Sequence, residues 1–257
     1  PYLAGFRAAG ECIQFQPEKA TKIVVIPRGK EEVGRQKAEG RKTEVKTQPL
    51  ANPITFETQA GFVFHHCNAY EEGDRIVIDS VCYESLPAVD PDADYRQTNF
   101  DALAPGQLWR FEVDVPTGTV KRHKIADRCC EFPTLHPAKV GRSHRYLYLA
   151  AAHNPTGNAP HQAIVKVDME TGEQLLWSAA PWGYVGEPVF VPRSPNSSQP
   201  TDMEDDGWVI TVVFDATRDR SDVVILDARD LTQVARLHLK HHVPYGLHGS
   251  FTPHVFA

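Results

Sequence analysis

Val113–Gly118 reads VDVPTG and Val167–Gly172 reads VDMETG. In both, a β-branched run ends at an Asp-bearing tight turn, and a second apolar run returns from it (Thr119-Val120-Lys121; Glu173-Gln174-Leu175). Leu226–Leu231 (LDARDL) is a looser third copy leading into Val234–Leu237. The turn Asp residues, Asp114, Asp168 and Asp227, are 54 and 59 residues apart. Self-similarity at that step fits a four-stranded propeller blade with generous loops. A β-sandwich has shorter spacing and no such repeat.

Outward from the repeat the same signal recurs. Lys22–Pro27 (KIVVIP), Arg75–Val81 (RIVIDSV), Leu108–Val115 (LWRFEVDV), Ala163–Val167 (AIVKV), Trp208–Phe214 (WVITVVF) and Val223–Leu226 (VVIL) are short, rich in Val and Ile, and bounded by Gly, Pro, Asp or Asn. These read as strands. No stretch carries a capped 3.6-residue period, so the fold class is all-β. With 20 Pro and 17 Gly in 257 residues, long helices have little room. The charged segment Arg28–Lys46 alternates sign and reads as a solvated hairpin or loop rather than a basic binding arm. Leu86–Gly106 and Ser194–Asp206 read as surface loops.

Composition narrows the function. Hydrophobic residues at 41% and charged residues at 23% are those of a globular chain. A net charge of −6 argues against gripping a nucleic-acid backbone. Five Cys, an odd count without a C-x-x-C spacing, read as buried free thiols in a reducing, cytoplasmic setting, the vicinal Cys129–Cys130 pair included. No apolar run reaches the length of a membrane span. Pro1–Phe6 (PYLAGF) lacks an initiator Met and a signal-peptide pattern, and reads as the interior of a longer protein.

Four ionisable residues sit in apolar, strand-like context: His65 after FVF, Glu131 in CCEFP, Glu187 in GEPVF and His248 in YGLHG. They are 66, 56 and 61 residues apart, matching the turn repeat. Singly, such a Glu pairs with an Arg and such a His is a satisfied core residue. Four in register, one per blade, converge on a propeller axis. Imidazoles suit iron, zinc or copper. A ligating His donates its other N–H to a carboxylate, which fixes its tautomer. Two His and two Glu thus read as a metal centre, two ligands with a carboxylate behind each.

FHHCNAYEEGD (Phe64–Asp74), EFP (Glu131–Pro133), GEPVFVPR and EDDGWVI (Gly186–Arg193, Glu204–Ile210), VILDARDL (Val224–Leu231), PYGLHGSF (Pro244–Phe251) and GFRAAGECIQFQP (Gly5–Pro17) resemble the carotenoid cleavage oxygenase family, most of all its cyanobacterial-type apocarotenoid 15,15′-oxygenases. The resemblance implies a seven-bladed β-propeller holding a non-haem Fe(II) by four His, with three Glu behind them. It implies oxidative cleavage of a polyene double bond by O₂ to two carbonyl products such as retinal. It places His65 and His248 as the third and fourth metal-binding His, and Glu131 and Glu187 as two of the carboxylates behind them. His66 adjoins the ligand without matching it. Phe64, Tyr83 and Phe132 fall where the family lines its substrate tunnel. The first two His and the remaining Glu of the family pattern precede Pro1, so residues 1–257 read as the C-terminal portion of a single propeller domain, about four blades of seven.

The resemblance leaves alternatives open: a truncated, inactive piece, or an enzyme acting on stilbenes. A non-enzymatic scaffold has no need of His and Glu in register, and a zinc hydrolase would carry an H-E-x-x-H pair. O₂ and a lipophilic polyene are the expected partners, with a monomer and peripheral membrane contact as further expectations. His241 and His242 as substitute ligands are set aside, since neighbours on a strand face opposite sides.

Overall fold

The computed structural model describes residues 13–27, 52–87, 94, 97–194 and 203–253. The segment Arg28–Lys46, Cys12 and parts of the two long loops lie outside the described residues. Among those described there is no α-helix, and the strands form four antiparallel sheets. β1 (Thr21–Val25) pairs with β2 (Ile54–Thr58). A first meander holds β3 (Phe62–Glu72), β4 (Arg75–Tyr83), β5 (Gln107–Asp114) and β6 (Thr119–Lys124). A second holds β7 (Cys130–Thr134), β8 (Tyr146–Ala152), β9 (His161–Asp168) and β10 (Gln174–Ser178). In the third, β11 (Gly183–Val185) and β12 (Val189–Pro192) both pair with β13 (Gly207–Asp215), followed by β14 (Arg220–Asp227) and β15 (Gln233–His238).

The repeat behaves as its sequence indicates. Asp114, Asp168 and Asp227 each turn a side-chain oxygen onto backbone N–H groups two or three residues on, at 2.9 to 3.3 Å. Gly118 and Gly172 take φ of +71° and +77°, which Gly adopts at no steric cost. The third copy places Leu231 at the same point with φ +58°. A further copy, Phe214–Asp219, escapes the sequence pattern because Asp219 replaces the Gly, at φ +50°.

The core lies between sheets. β8 is almost wholly buried, so its two faces serve two clusters. Leu147, Leu149 and Ala151 face the first sheet with Val81 and Leu108. Tyr148 and Ala150 face the third with Val209, Val213 and Leu226. A strand buried on both faces is what an interior blade requires. Cys67 and Cys130 belong to the first cluster, and Cys129 donates to Asn158 Oδ1 at 3.1 Å. Burial pushes these thiols above their ordinary range, so they are inert packing groups.

Candidate metal centre

Each site residue on a strand sits where the first strand of a sheet is irregular. The register of β3 shifts between Val63 and His66, around His65. That of β7 shifts between Glu131 and Thr134. The first strand of the third sheet breaks at Gly186–Pro188, between β11 and β12, and Glu187 lies in the break. Bulges and breaks re-aim a side chain out of the ladder. His248 comes from the segment after β15.

These four residues meet. His65 Nδ1 lies 2.6 Å from Glu131 Oε2, and His248 Nδ1 lies 3.1 Å from Glu187 Oε1. An ionised carboxylate only accepts, so each Nδ1 carries the proton. In the neutral form of each ring the lone pair then sits on Nε2, and the two Nε2 atoms lie 3.4 Å apart. Two lone pairs so placed repel; a cation between them turns repulsion into attraction. The separation is less than twice a nitrogen–metal bond of about 2.1 Å, so one ion can touch both. The donor chemistry therefore fits half of an imidazole-rich metal site. Among the described residues no group of three His, Cys, Asp or Glu side chains is arranged to hold a metal ion.

Backbone donors fix both carboxylates. Phe132 N–H donates to Glu131 Oε2 at 2.6 Å, and Gly249 N–H to Glu187 Oε2 at 2.7 Å. The first bond accompanies a left-handed backbone at Phe132, φ +53°, unusual for a bulky residue. Such a conformation costs about 1–3 kcal/mol and persists only where its surroundings hold it. It lays the Phe132 ring against His65 and His248, at centroid distances of 5.3 and 6.2 Å. Phe64 packs edge-on against Tyr83 at 5.4 Å, and Tyr83 in turn reaches Glu131; of the three aromatics, Phe132 is the one whose ring lies against the imidazoles. His66 turns away to Ser80, 2.7 Å from its hydroxyl.

Three features escape sequence reasoning. The Tyr83 hydroxyl donates to Glu131 Oε1 at 3.1 Å, so this residue is more than an aromatic wall. His161, at the start of β9, places its ring 6.3 Å from Phe132, and burial lowers its pKa to about 4, leaving it neutral. The backbone donors carry no side-chain signal. Contrary to the expectation from sequence, His241 and His242 follow β15 in irregular chain, so strand alternation does not separate them. His242 packs on Phe214 at 4.7 Å instead.

Residues 2–253 match the family described as RPE65, retinal pigment epithelial membrane protein. The chain belongs to the RPE65 family of carotenoid oxygenases. It is 51% identical over 253 residues to the apocarotenoid-15,15′-oxygenase of Synechocystis sp., covering 98% of this chain and 46% of the relative. It is 30% identical to the isoeugenol monooxygenase of Pseudomonas putida, covering 96% and 49%. Among solved structures, cobalt-substituted Synechocystis ACO matches with a TM-score of 0.83 at 50% identity, over 98% of this chain and 48% of that one. The four sheets thus correspond to about half of a propeller, and the chain spans about half the length of these relatives. Among the described residues no helix is long and apolar enough to cross a membrane.

Proposed function

We propose that this chain is the C-terminal portion of a single-domain, Fe(II)-dependent oxygenase that cleaves a double bond of an apocarotenoid or carotenoid with O₂, giving aldehydes such as retinal. The observation that carries the reading is the pair of imidazoles, each backed by a carboxylate, with their free nitrogens 3.4 Å apart in a chain 51% identical to an apocarotenoid oxygenase. His65 and His248 would hold the iron, with further donors from residues outside this chain. The iron, when bound, supplies activation of O₂ for alkene cleavage. Glu131 and Glu187 hold the Nδ1 protons and so keep both Nε2 atoms free to ligate. Phe64, Tyr83 and Phe132 supply apolar surface against which a polyene lies without hydrogen-bond demands. A cytoplasmic monomer in peripheral contact with a membrane, drawing on lipophilic substrate, completes the reading.

The test is iron content and aldehyde formation by a longer protein containing this chain. His65→Ala and His248→Ala are each expected to abolish stoichiometric iron; retention of full iron by both variants overturns the assignment. A second reading, an inactive piece, draws on the two-donor count among the described residues. Iron stoichiometry of the 257-residue chain alone separates them, since a full complement excludes the inactive piece. The relative named isoeugenol monooxygenase makes an aryl alkene, such as a stilbene, the substrate to assay beside the polyene.

A further inference from the structure

Tyr83 is joined to the imidazole pair through one carboxylate. Glu131 Oε2 takes both the His65 Nδ1–H and the Phe132 N–H, while Oε1 takes the Tyr83 hydroxyl. The terminal torsion of a Glu side chain is soft and roughly two-fold. Donors on one oxygen alone leave that torsion weakly defined; a donor on the other oxygen pins the carboxylate plane. A phenol proton on Oε1 also draws charge from the carboxylate and moderates its pull on the His65 N–H.

Tyr83 is itself held in place. Its ring packs edge-on against Phe64 at 5.4 Å and Phe62 at 6.5 Å. On the other side it lies on the backbone of Gly106, just before β5. A Cβ at Gly106 would stand 2.6 Å from Tyr83 Cζ, 2.7 Å from its hydroxyl oxygen and 2.7 Å from the Cys130 carbonyl. The Cys130 N–H meanwhile donates to the Gly106 carbonyl at 2.9 Å, so backbone and ring cannot simply part. The absent side chain at Gly106 is what lets the phenol reach Glu131. Burial and the Glu131 charge raise the phenol's pKa, so it remains a donor at all working pH values.

We propose that Tyr83, seated by Gly106, is a positioning residue that sets the orientation and donor strength of the His65 imidazole through Glu131. The proposal rests on the reading of His65 as a metal ligand. Its chemistry is that of an outer hydrogen-bond partner, whose loss typically lowers metal affinity 10- to 100-fold.

The experiment uses the longer protein containing this chain, in two measurements. In the metal-free protein, proton NMR follows the His65 Nδ1–H resonance. A Co(II) titration then gives affinity and the visible absorption of bound cobalt. Tyr83→Phe, which keeps the ring, is expected to shift the Nδ1–H resonance, weaken Co(II) binding about tenfold and move the absorption band. Gly106→Ala is expected to act in the same direction. Tyr148→Phe removes another buried phenol hydroxyl, which donates to the Ala228 carbonyl at 2.8 Å, and serves as the control: stability falls and the cobalt spectrum stays. An unchanged resonance and affinity in Tyr83→Phe, with binding lost in His65→Ala, overturns the proposal and leaves the ligand reading standing. Unchanged binding in His65→Ala overturns the ligand reading, and the proposal with it. A Tyr83→Phe effect matched by Tyr148→Phe also overturns it, as general loss of stability.

Discussion

Arg110→Met tests the buried charge that anchors the site's first strand. Asp79 on β4 and Arg110 on β5 face each other across the ladder. The guanidinium donates to both carboxylate oxygens, at 2.8 and 2.9 Å. The Asp79 side chain is 0% exposed and that of Arg110 16%. A further titratable neighbour is His144, whose Nε2 lies 3.3 Å from Asp79 Oδ2 without a hydrogen bond. Burial holds that imidazole below its ordinary pKa, so it is a poor substitute cation. At 2.8 Å and an effective dielectric constant of about 20, the attraction is about 6 kcal/mol. Releasing the guanidinium from its own burial returns part of this. The net loss is expected to be about 3–5 kcal/mol, the usual result of orphaning a buried charge. Urea unfolding followed by fluorescence measures it. The double variant Asp79→Asn, Arg110→Met is expected to recover at least half of the loss, because no buried charge remains. A single-variant loss under about 1 kcal/mol, or a double variant as unstable as the single, refutes the argument. The effect reaches the site through Asn68, paired with Asp79 and three residues beyond His65. Asn68 donates to the Lys139 and Arg142 carbonyls at 3.0 and 2.9 Å, tying β3 to the second sheet.

Asp219→Gly is expected to raise stability by about 1 kcal/mol, because an exposed residue at φ +50° gains from losing its Cβ. Leu231→Gly relieves a similar backbone but empties a site only 3% exposed, so its unfolding midpoint is expected to fall. Gly207→Ala is expected to destabilise, since a Cβ there would lie 2.5 Å from the Val191 carbonyl and 2.7 Å from the Phe190 ring; thermal unfolding reads it. His161 has a folded pKa of about 4 against 6.5 unfolded, so the unfolded chain binds its proton first as pH falls. Its contribution to stability is complete above about pH 6.5 and declines by at most about 3 kcal/mol toward pH 4. His161→Leu should flatten that part of the stability–pH curve; an unchanged slope refutes the assignment.

Much of the architecture was legible because strands announce themselves locally. The runs at Arg75–Val81, Leu108–Val115 and Trp208–Phe214 lie within β4, β5 and β13 but for the single terminal residue Val115. The paired turns at Asp114 and Asp168 are capped by side chains within three residues, so their signal is complete in a short window. The Phe214–Asp219 turn was illegible because Asp219 holds the left-handed position that Gly marks elsewhere. The site residues were legible as a register of four polar positions in apolar runs. Their pairing was not: nothing local tells Glu131 to choose His65, or Tyr83 to choose Glu131.

By itself, the sequence determined the all-β class, the repeated hairpins and the four residues that meet, since each depends on short-range pattern or on period. The tertiary structure decided which carboxylate holds which imidazole, the 3.4 Å approach of the two Nε2 atoms, the strained backbone of Phe132 and the seat of Tyr83 on Gly106. The physical reason is range. Turn caps and strand alternation are satisfied within a few residues. The bond that orients His65 closes between two sheets and the one that orients His248 closes between the third sheet and the segment after β15, across 66 and 61 residues of chain, and both exist only once these parts have packed.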